Sequence, residues 1–182
     1  MSTLAQMNSS VIRDLMPEDI PEISMPVCQV RPILKGQTAI VTGASSGIGR
    51  GIANALCAAG ANVVVNYIGP EDEAQAVVHE ATHCGCEHRG RAICVRADVS
   101  DEAQVQAMFA RTVEEFGHVD ILINNAGMQQ DAALESMSLA QWRRVIDVNL
   151  TGQFLCSREA VRLFKRRGVR PEVSCAAGKI IC

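Results

Sequence analysis

From Lys35 onward, short β-branched runs alternate with amphipathic stretches of helical length, and that alternation limits the chain to very few folds. "TAIVTG" is an apolar run that stops at glycine, as a strand buried on both faces does. "GIGRGIANALCAAG" follows, with Ile48, Ile52, Leu56 and Ala59 on one helical face and Gly60 as the stop. "NVVVNY" is a second strand, and "PEDEAQAVVHEATHC" a helix with Pro70 at its start and acids in its first turn. "AICVRADV" is a third strand, and "SDEAQVQAMFARTVEEFG" a helix capped by Ser100 and ended by Gly117. "VDILINNAG" is a fourth strand. A long helix then runs from the capping box Ser138–Gln141 to Gly168, and "GKIIC" begins a fifth strand. Strands and helices in this order predict an α/β fold, a doubly wound Rossmann-type parallel sheet in the order 3-2-1-4-5.

The 182 residues suffice for one such domain, and an apolar share of 48% suffices for its core. Residues 1–34 stand apart. They hold Pro17, Pro21, Pro26 and Pro32, four of the six prolines, a density that forbids a long helix or a central strand. We expect a mobile extension there and a single Rossmann-type domain over 35–182. Net charge is −3, which makes no electrostatic case for nucleic acid or membrane as partner. The N-terminus has no basic start followed by an apolar run, so it is no secretory signal, and we expect a cytoplasmic protein with its eight cysteines reduced.

"TGASSGIG" joins the first strand to the first helix. Gly43, Gly47 and Gly49 lack Cβ, so the turn can be tight and a phosphate can approach the backbone. The helix that follows would aim free N–H groups at that phosphate, and Ser45 and Ser46 add hydroxyl donors. The alternative is a plain strand–helix turn.

Four motifs in order carry a resemblance. They are "TGASSGIG", "ADV" (Ala97 to Val99), "NNAG" (Asn124 to Gly127) and "VIDVNLTG" (Val145 to Gly152). From about Lys35 to Cys182 the chain resembles the short-chain dehydrogenase/reductase family, and "VVVNY" and "DVNLTGQFLCSREAV" are similar to its bacterial glucose 1-dehydrogenases. The resemblance implies an NAD(P)-dependent oxidoreductase acting on a small-molecule alcohol or sugar, with a 3-oxoacyl-acyl-carrier-protein reductase as the alternative. It also implies a homo-oligomer for the full-length enzyme. Gly43, Ser45, Ser46, Gly47, Ile48 and Gly49 would surround the adenosine and pyrophosphate side of the cofactor. Asp98 would accept from the adenine amino group, with Val99 beside it. Asn125, Ala126 and Gly127 would floor the adenosine ribose. Asn149 would be the active-site asparagine, holding a relay water from a bend in the long helix. The local alternatives are an N-cap-like Asp98, plain turn residues at "NNAG" and a mid-helix polar Asn149.

Cofactor choice depends on the end of the second strand, where a carboxylate binds a ribose 2′-OH and an arginine a 2′-phosphate. Asn66 and Tyr67 stand there, followed by Ile68, so the pattern favours NADP or dual use over NAD alone, with Arg50 a possible phosphate partner.

Hydride chemistry also needs a proton donor. The family uses a serine and a Tyr-x-x-x-Lys pair. The single tyrosine here, Tyr67, is followed four residues on by Glu71, and the three lysines are Lys35, Lys165 and Lys179. We therefore expect a C-terminally truncated fragment, inactive alone and weak in cofactor affinity. Its fifth strand would be a bare edge, and the long helix's apolar face, including Val148, Phe154, Leu155 and Leu163, would lack part of its cover. A non-catalytic nucleotide-binding or dimer-forming fragment is the reading from another class.

Two further clusters bear on metal and phosphate binding. "HEATHCGCEH" offers His79, His83, Cys84, Cys86 and His88, but Cys-x-Cys is tighter than usual zinc spacing, and we expect no metal. "REAVRLFKRRGVR" places cations at a helix C-terminus, where they complement the dipole. Trp142 and Phe154 are expected in core or interface packing.

Overall fold

The computed structural model describes residues 31–83 and 88–182. The proposed extension therefore lies almost wholly outside the described residues, as do Cys84 and Cys86. Five strands, β1 (Thr38–Val41), β2 (Asn62–Tyr67), β3 (Ala92–Arg96), β4 (Ile121–Ile123) and β5 (Lys179–Ile181), form one parallel sheet in the order β3-β2-β1-β4-β5. This is the doubly wound arrangement expected from the alternation.

The helices are α1 (Gly47–Ala58), α2 (Glu71–His83), α3 (Glu102–Phe116), α4 (Leu139–Ile146) and α5 (Gly152–Arg167). Successive strand residues enter opposite cores. Ala39, Val41, Val63, Val65, Ile121 and Ile123 meet α1 and α2, while Ile40, Val64 and Leu122 meet α3 and α5. Two covered faces are why the strands read as unbroken apolar runs.

Three local expectations are corrected. First, α1 buries Gly49, Ala53 and Cys57, with Ile52 and Leu56 at the margin, and leaves Ile48 79% exposed. The helix is rotated because Gly49 lies against the β1 turn. A Cβ there would come within 2.5 Å of Asn125 Nδ2 and 2.6 Å of the Gly43 carbonyl. Second, Asp101, not Ser100, caps α3, its carboxylate accepting from the Ala103 and Gln104 N–H groups at 2.9 and 3.1 Å. Ser100 instead turns toward Asp98. Third, Leu155 is buried, and Val148 and Leu163 pack against the second core. Of the four residues expected to lack part of their cover only Leu155 is fully buried, while Val148 and Leu163 are half-buried and Phe154 is exposed, as are Leu139, Trp142 and Leu150.

The capping box at Ser138 and the stop at Gly168 both form. Between them the helix widens into a π-helical turn, Asp147–Thr151, that separates α4 from α5. Such a turn bends the helix and turns side chains off the regular face.

Most of the basic run is tied down. Arg162 pairs with Glu159 at 2.6 Å, Arg158 with Glu102, and Arg167 and Arg170 with Asp120 at 2.5 and 3.0 Å. His79 and His83 stack with ring centroids 4.1 Å apart, and among the described residues no group of three or more metal-ligating side chains converges. Nor is any described helix long and apolar enough to cross a membrane.

Candidate cofactor-binding site

The first strand leaves the sheet through Thr42 and Gly43, the latter at φ 61°, a conformation that favours glycine. A Cβ on Gly43 would stand 2.9 Å from the Ala126 Cα, so the turn also needs glycine for space. Gly47 opens α1 at φ 54°. Its N-cap, Ser46, is extended and makes no side-chain bond to the helix, which leaves the first-turn N–H groups without that satisfaction. Ser45 and Ser46 flank this opening.

Three polar side chains hold the turn, and sequence reading assigned none of them that task. Thr42 Oγ1 donates to the Ile123 carbonyl at 3.2 Å and accepts from the Asn125 and Ala126 N–H groups at 3.0 and 2.9 Å. Asn125 Nδ2 donates to the carbonyls of Thr42 and Gly43 at 2.8 and 3.1 Å. Asn66 Oδ1 accepts from the Gly43 N–H at 3.1 Å, while its Nδ2 donates to the Ala97 and Val95 carbonyls at 3.0 and 3.3 Å. A buried Asn66 thus spends its whole amide bridging the glycine turn to the exit of β3. Period-two alternation marks Asn66 as a strand residue but says nothing of a carbonyl at the end of the neighbouring strand.

These contacts frame a cavity of about 250 Å³ at the C-terminal ends of the strands. Of the expected residues, Gly43, Asn66, Asp98, Val99, Asn125, Ala126 and Gly127 line it, together with Ile68, Ala97, Met128, Arg144 and Val148. Ser45, Ser46, Gly47, Ile48 and Gly49 stand at the turn and helix start beside it. Tyr67 does not line it. Its side chain is buried in the first core, where burial, followed by the Glu71 charge, pushes the phenol above its ordinary range. Arg50 is bound at 2.8 Å to Glu80.

Asp98 lies on the far wall. Its Oδ1 accepts from the Ser100 N–H at 2.9 Å and the Ser100 hydroxyl at 2.6 Å, and Oδ2 faces the Arg144 guanidinium at 3.4 Å. Burial alone would raise this carboxyl. The Ser100 bonds and then Arg144 outweigh burial, so it sits below its ordinary value of 3.8. Nothing in the spacing of Arg144 and Asp98 signals that they meet. Only the docking of α4 over the β3 exit brings them together.

Asn149 belongs to the π-helical turn. Its Oδ1 accepts from the Met128 N–H at 2.8 Å and its Nδ2 donates to the Met128 carbonyl at 2.9 Å. The side chain therefore clasps the main chain just beyond "NNAG" and fixes the cavity wall. Asn124 lies deeper, its Nδ2 donating to Ser157 Oγ at 3.0 Å.

The cavity sits where the sheet order reverses between β1 and β4, the position at which open α/β sheets take nucleotides. A dinucleotide suits these residues. The turn at Gly43 and Gly47 carries no side chain, no side chain caps the start of α1, and the Asp98 carboxylate lines the cavity.

Comparison with known proteins agrees. The family model described as short chain dehydrogenase matches residues 37–180. The chain is 43% identical over 134 residues to a 3-oxoacyl-(acyl-carrier-protein) reductase of Synechocystis sp., covering 74% of this chain and 53% of that protein. An uncharacterized oxidoreductase of Methylorubrum extorquens is 44% identical over 127 residues, covering 70% and 50%. Among solved structures, a dehydrogenase/reductase from Sinorhizobium meliloti superposes with a TM-score of 0.69 at 39% identity, covering 74% of this chain and 52% of that one. A short-chain dehydrogenase/reductase from Serratia marcescens gives 0.67 at 36%, covering 71% and 51%. The chain spans about half the length of the curated relatives it matches. With its sheet order, its glycine turn and a family match over most of its length, the chain belongs to the short-chain dehydrogenase family.

Proposed function

We propose that this chain carries the NAD(P)-binding half of an oxidoreductase that transfers hydride between a nicotinamide and an alcohol or carbonyl. One observation carries the reading: an open cavity at the strand ends, bounded by a glycine turn on one side and an ionised Asp98 on the other. Gly43, Gly47 and Gly49 would admit the pyrophosphate, with Ser45 and Ser46 donating and Ile48 alongside. Asp98 and Val99 would hold the adenine, and Asn125, Ala126 and Gly127 the adjoining ribose. A bound nicotinamide supplies or accepts the hydride. Asn149, whose carboxamide clasps the Met128 main chain, would be the active-site asparagine that holds the relay water.

Absence of a carboxylate at Asn66 and Tyr67 supports NADP or dual use. The substrate reading from sequence is a sugar, as for glucose 1-dehydrogenases. The Synechocystis relative, named a 3-oxoacyl-(acyl-carrier-protein) reductase, favours the second reading. These 182 residues hold no Tyr-x-x-x-Lys, so we propose that alone they bind without turnover. Exposed Trp142, Leu150 and Phe154 support a homo-oligomer, and the composition a cytoplasmic one. Calorimetric titration with NADP and NAD tests the central reading. Weak saturable binding, displaced by ADP, is expected. No heat of binding from either at millimolar concentration would sink it.

A further inference from the structure

β2 carries a polar side chain near each end. Asn66 braces the glycine turn, while Asn62, the first residue of the strand, lines a separate cavity of about 300 Å³ at the opposite end of the sheet. Lys35, Asn62, His88, Arg89 and Arg91 surround this second hollow, with glycine at its remaining positions. No carboxylate among the described residues lines it, although the whole chain has a net charge of −3. Cations gathered without an acid repel one another, and an anion between them relieves that cost. Main-chain packing demands glycine in the floor. Gly60 takes φ 93°, and a Cβ on Gly90 would stand 1.8 Å from the Ala61 carbonyl oxygen.

Two of the lining groups hold unspent donors. The Arg91 N–H donates to Asn62 Oδ1 at 3.0 Å. An N–H takes only an acceptor, so this bond fixes which end of the amide is oxygen and leaves Nδ2, with two protons, without a partner among the described residues. The Lys35 ammonium likewise has no partner among them. The arginines are anchored instead. Arg89 Nη1 donates to the Ala81 carbonyl at 2.5 Å, and Arg91 pairs with Glu115 and lies over the Phe116 ring. Those bonds use part of each guanidinium and fix where its charge stands. We propose that the hollow binds a phosphate group, with the Lys35 ammonium and Asn62 Nδ2 donating to its oxygens and the anchored arginines supplying the surrounding field. A phosphate brings three acceptor oxygens and nearly two charges at neutral pH, which suits a wall of donors better than a single carboxylate does. The proposal does not rest on the dinucleotide reading, which concerns the other end of β2.

The test is calorimetric titration of the 182-residue chain with inorganic phosphate and with ribose 5-phosphate, in wild type, Lys35→Met, Asn62→Asp and Arg166→Met. Asn62→Asp keeps an acceptor for the Arg91 N–H but puts a carboxylate oxygen where the donor stood. Wild type should bind at least one ligand saturably. Tighter binding of the ester would assign a phosphorylated molecule to the hollow, and tighter binding of inorganic phosphate the free ion. Lys35→Met should weaken binding about tenfold and Asn62→Asp by more. Arg166→Met, which removes an equal charge at the end of α5, should change nothing. An equal loss in Arg166→Met overturns the proposal, because the attraction would then be diffuse. Binding that survives both Lys35→Met and Asn62→Asp also overturns it, since the anion would sit elsewhere, the glycine turn included. No binding of either ligand at millimolar concentration does the same. Lys35→Glu, a charge reversal at an exposed position, replaces Asn62→Asp should that variant fail to fold.

Discussion

At the N-terminal end of the sheet a buried Asp120 takes Arg167 at 2.5 Å, Arg170 at 3.0 Å, His118 at 3.1 Å and the Thr38 N–H at 2.8 Å, whereas at the C-terminal end the same strands open into a cavity. Both ends must satisfy polar groups away from water. One does so by closing. Asp120 ties β4 to β1, to the end of α5 and to the segment that leads into β5, with every partner internal. The other does so by bracing. Thr42, Asn66 and Asn125 bind the backbone of the turn, and glycines keep the space beside it clear. One end thus holds an internal ion cluster and the other a braced, open cavity.

The largest effect that would separate the ends is Asp120→Ala. Removing one member of a buried ion cluster strands its cations and should cost about 3–5 kcal/mol in urea unfolding. ADP affinity of the protein that remains folded should hold. A parallel loss of affinity would break the comparison.

Gly49→Ala attacks the other end. Its Cβ would need room now held by Asn125 Nδ2 and the Gly43 carbonyl, 2.5 and 2.6 Å away. We expect about 1–3 kcal/mol of destabilisation from overpacking, with a more than tenfold loss of ADP affinity. A variant that keeps affinity would show that the turn is not the phosphate cradle.

Asp98 makes a smaller, pH-dependent difference. Its carboxyl is depressed on folding, so its contribution is present above the ordinary value of 3.8 and is lost as pH falls through the lower folded value. ADP affinity measured by fluorescence competition should therefore stay level from neutral pH down to about pH 5 and fall only below about pH 4. A decline centred near neutrality would implicate another group. Least of all, Ser138→Ala removes the N-terminal cap of α4, whose side chain touches only Gln141. About 1 kcal/mol of stability should go, with no change in affinity.

Much of the fold was legible because its signals are local. β-Branched runs, a capping box at Ser138 and stops at Gly117 and Gly168 each depend on a few neighbouring residues. Ile48 departs from the helical pattern for a physical reason. Helical periodicity ranks residues by hydrophobicity, but α1 is oriented by where a missing side chain is needed, at Gly49. The Ser100 cap failed on a near tie, since Asp101, one residue later, reaches the first-turn N–H groups and frees Ser100 for Asp98. At the site, glycines and "NNAG" could be placed by motif. Asn66 as a brace, Thr42 as a hub and Arg144 as the partner of Asp98 could not, because each acts on a group from another element.

Alternation of apolar runs with helices, and glycine at the first turn, already dictated a parallel two-faced sheet and a tight loop free of side chains at Gly43 and Gly47. Period, cap and turn are properties of neighbours along the chain. Folding in three dimensions settled which hydrogen bonds hold that loop open, that Tyr67 points into the core, and that a guanidinium from α4 stands over Asp98. Those outcomes depend on how helices rotate and dock against the sheet, and packing fixes that from contacts scattered over the whole chain.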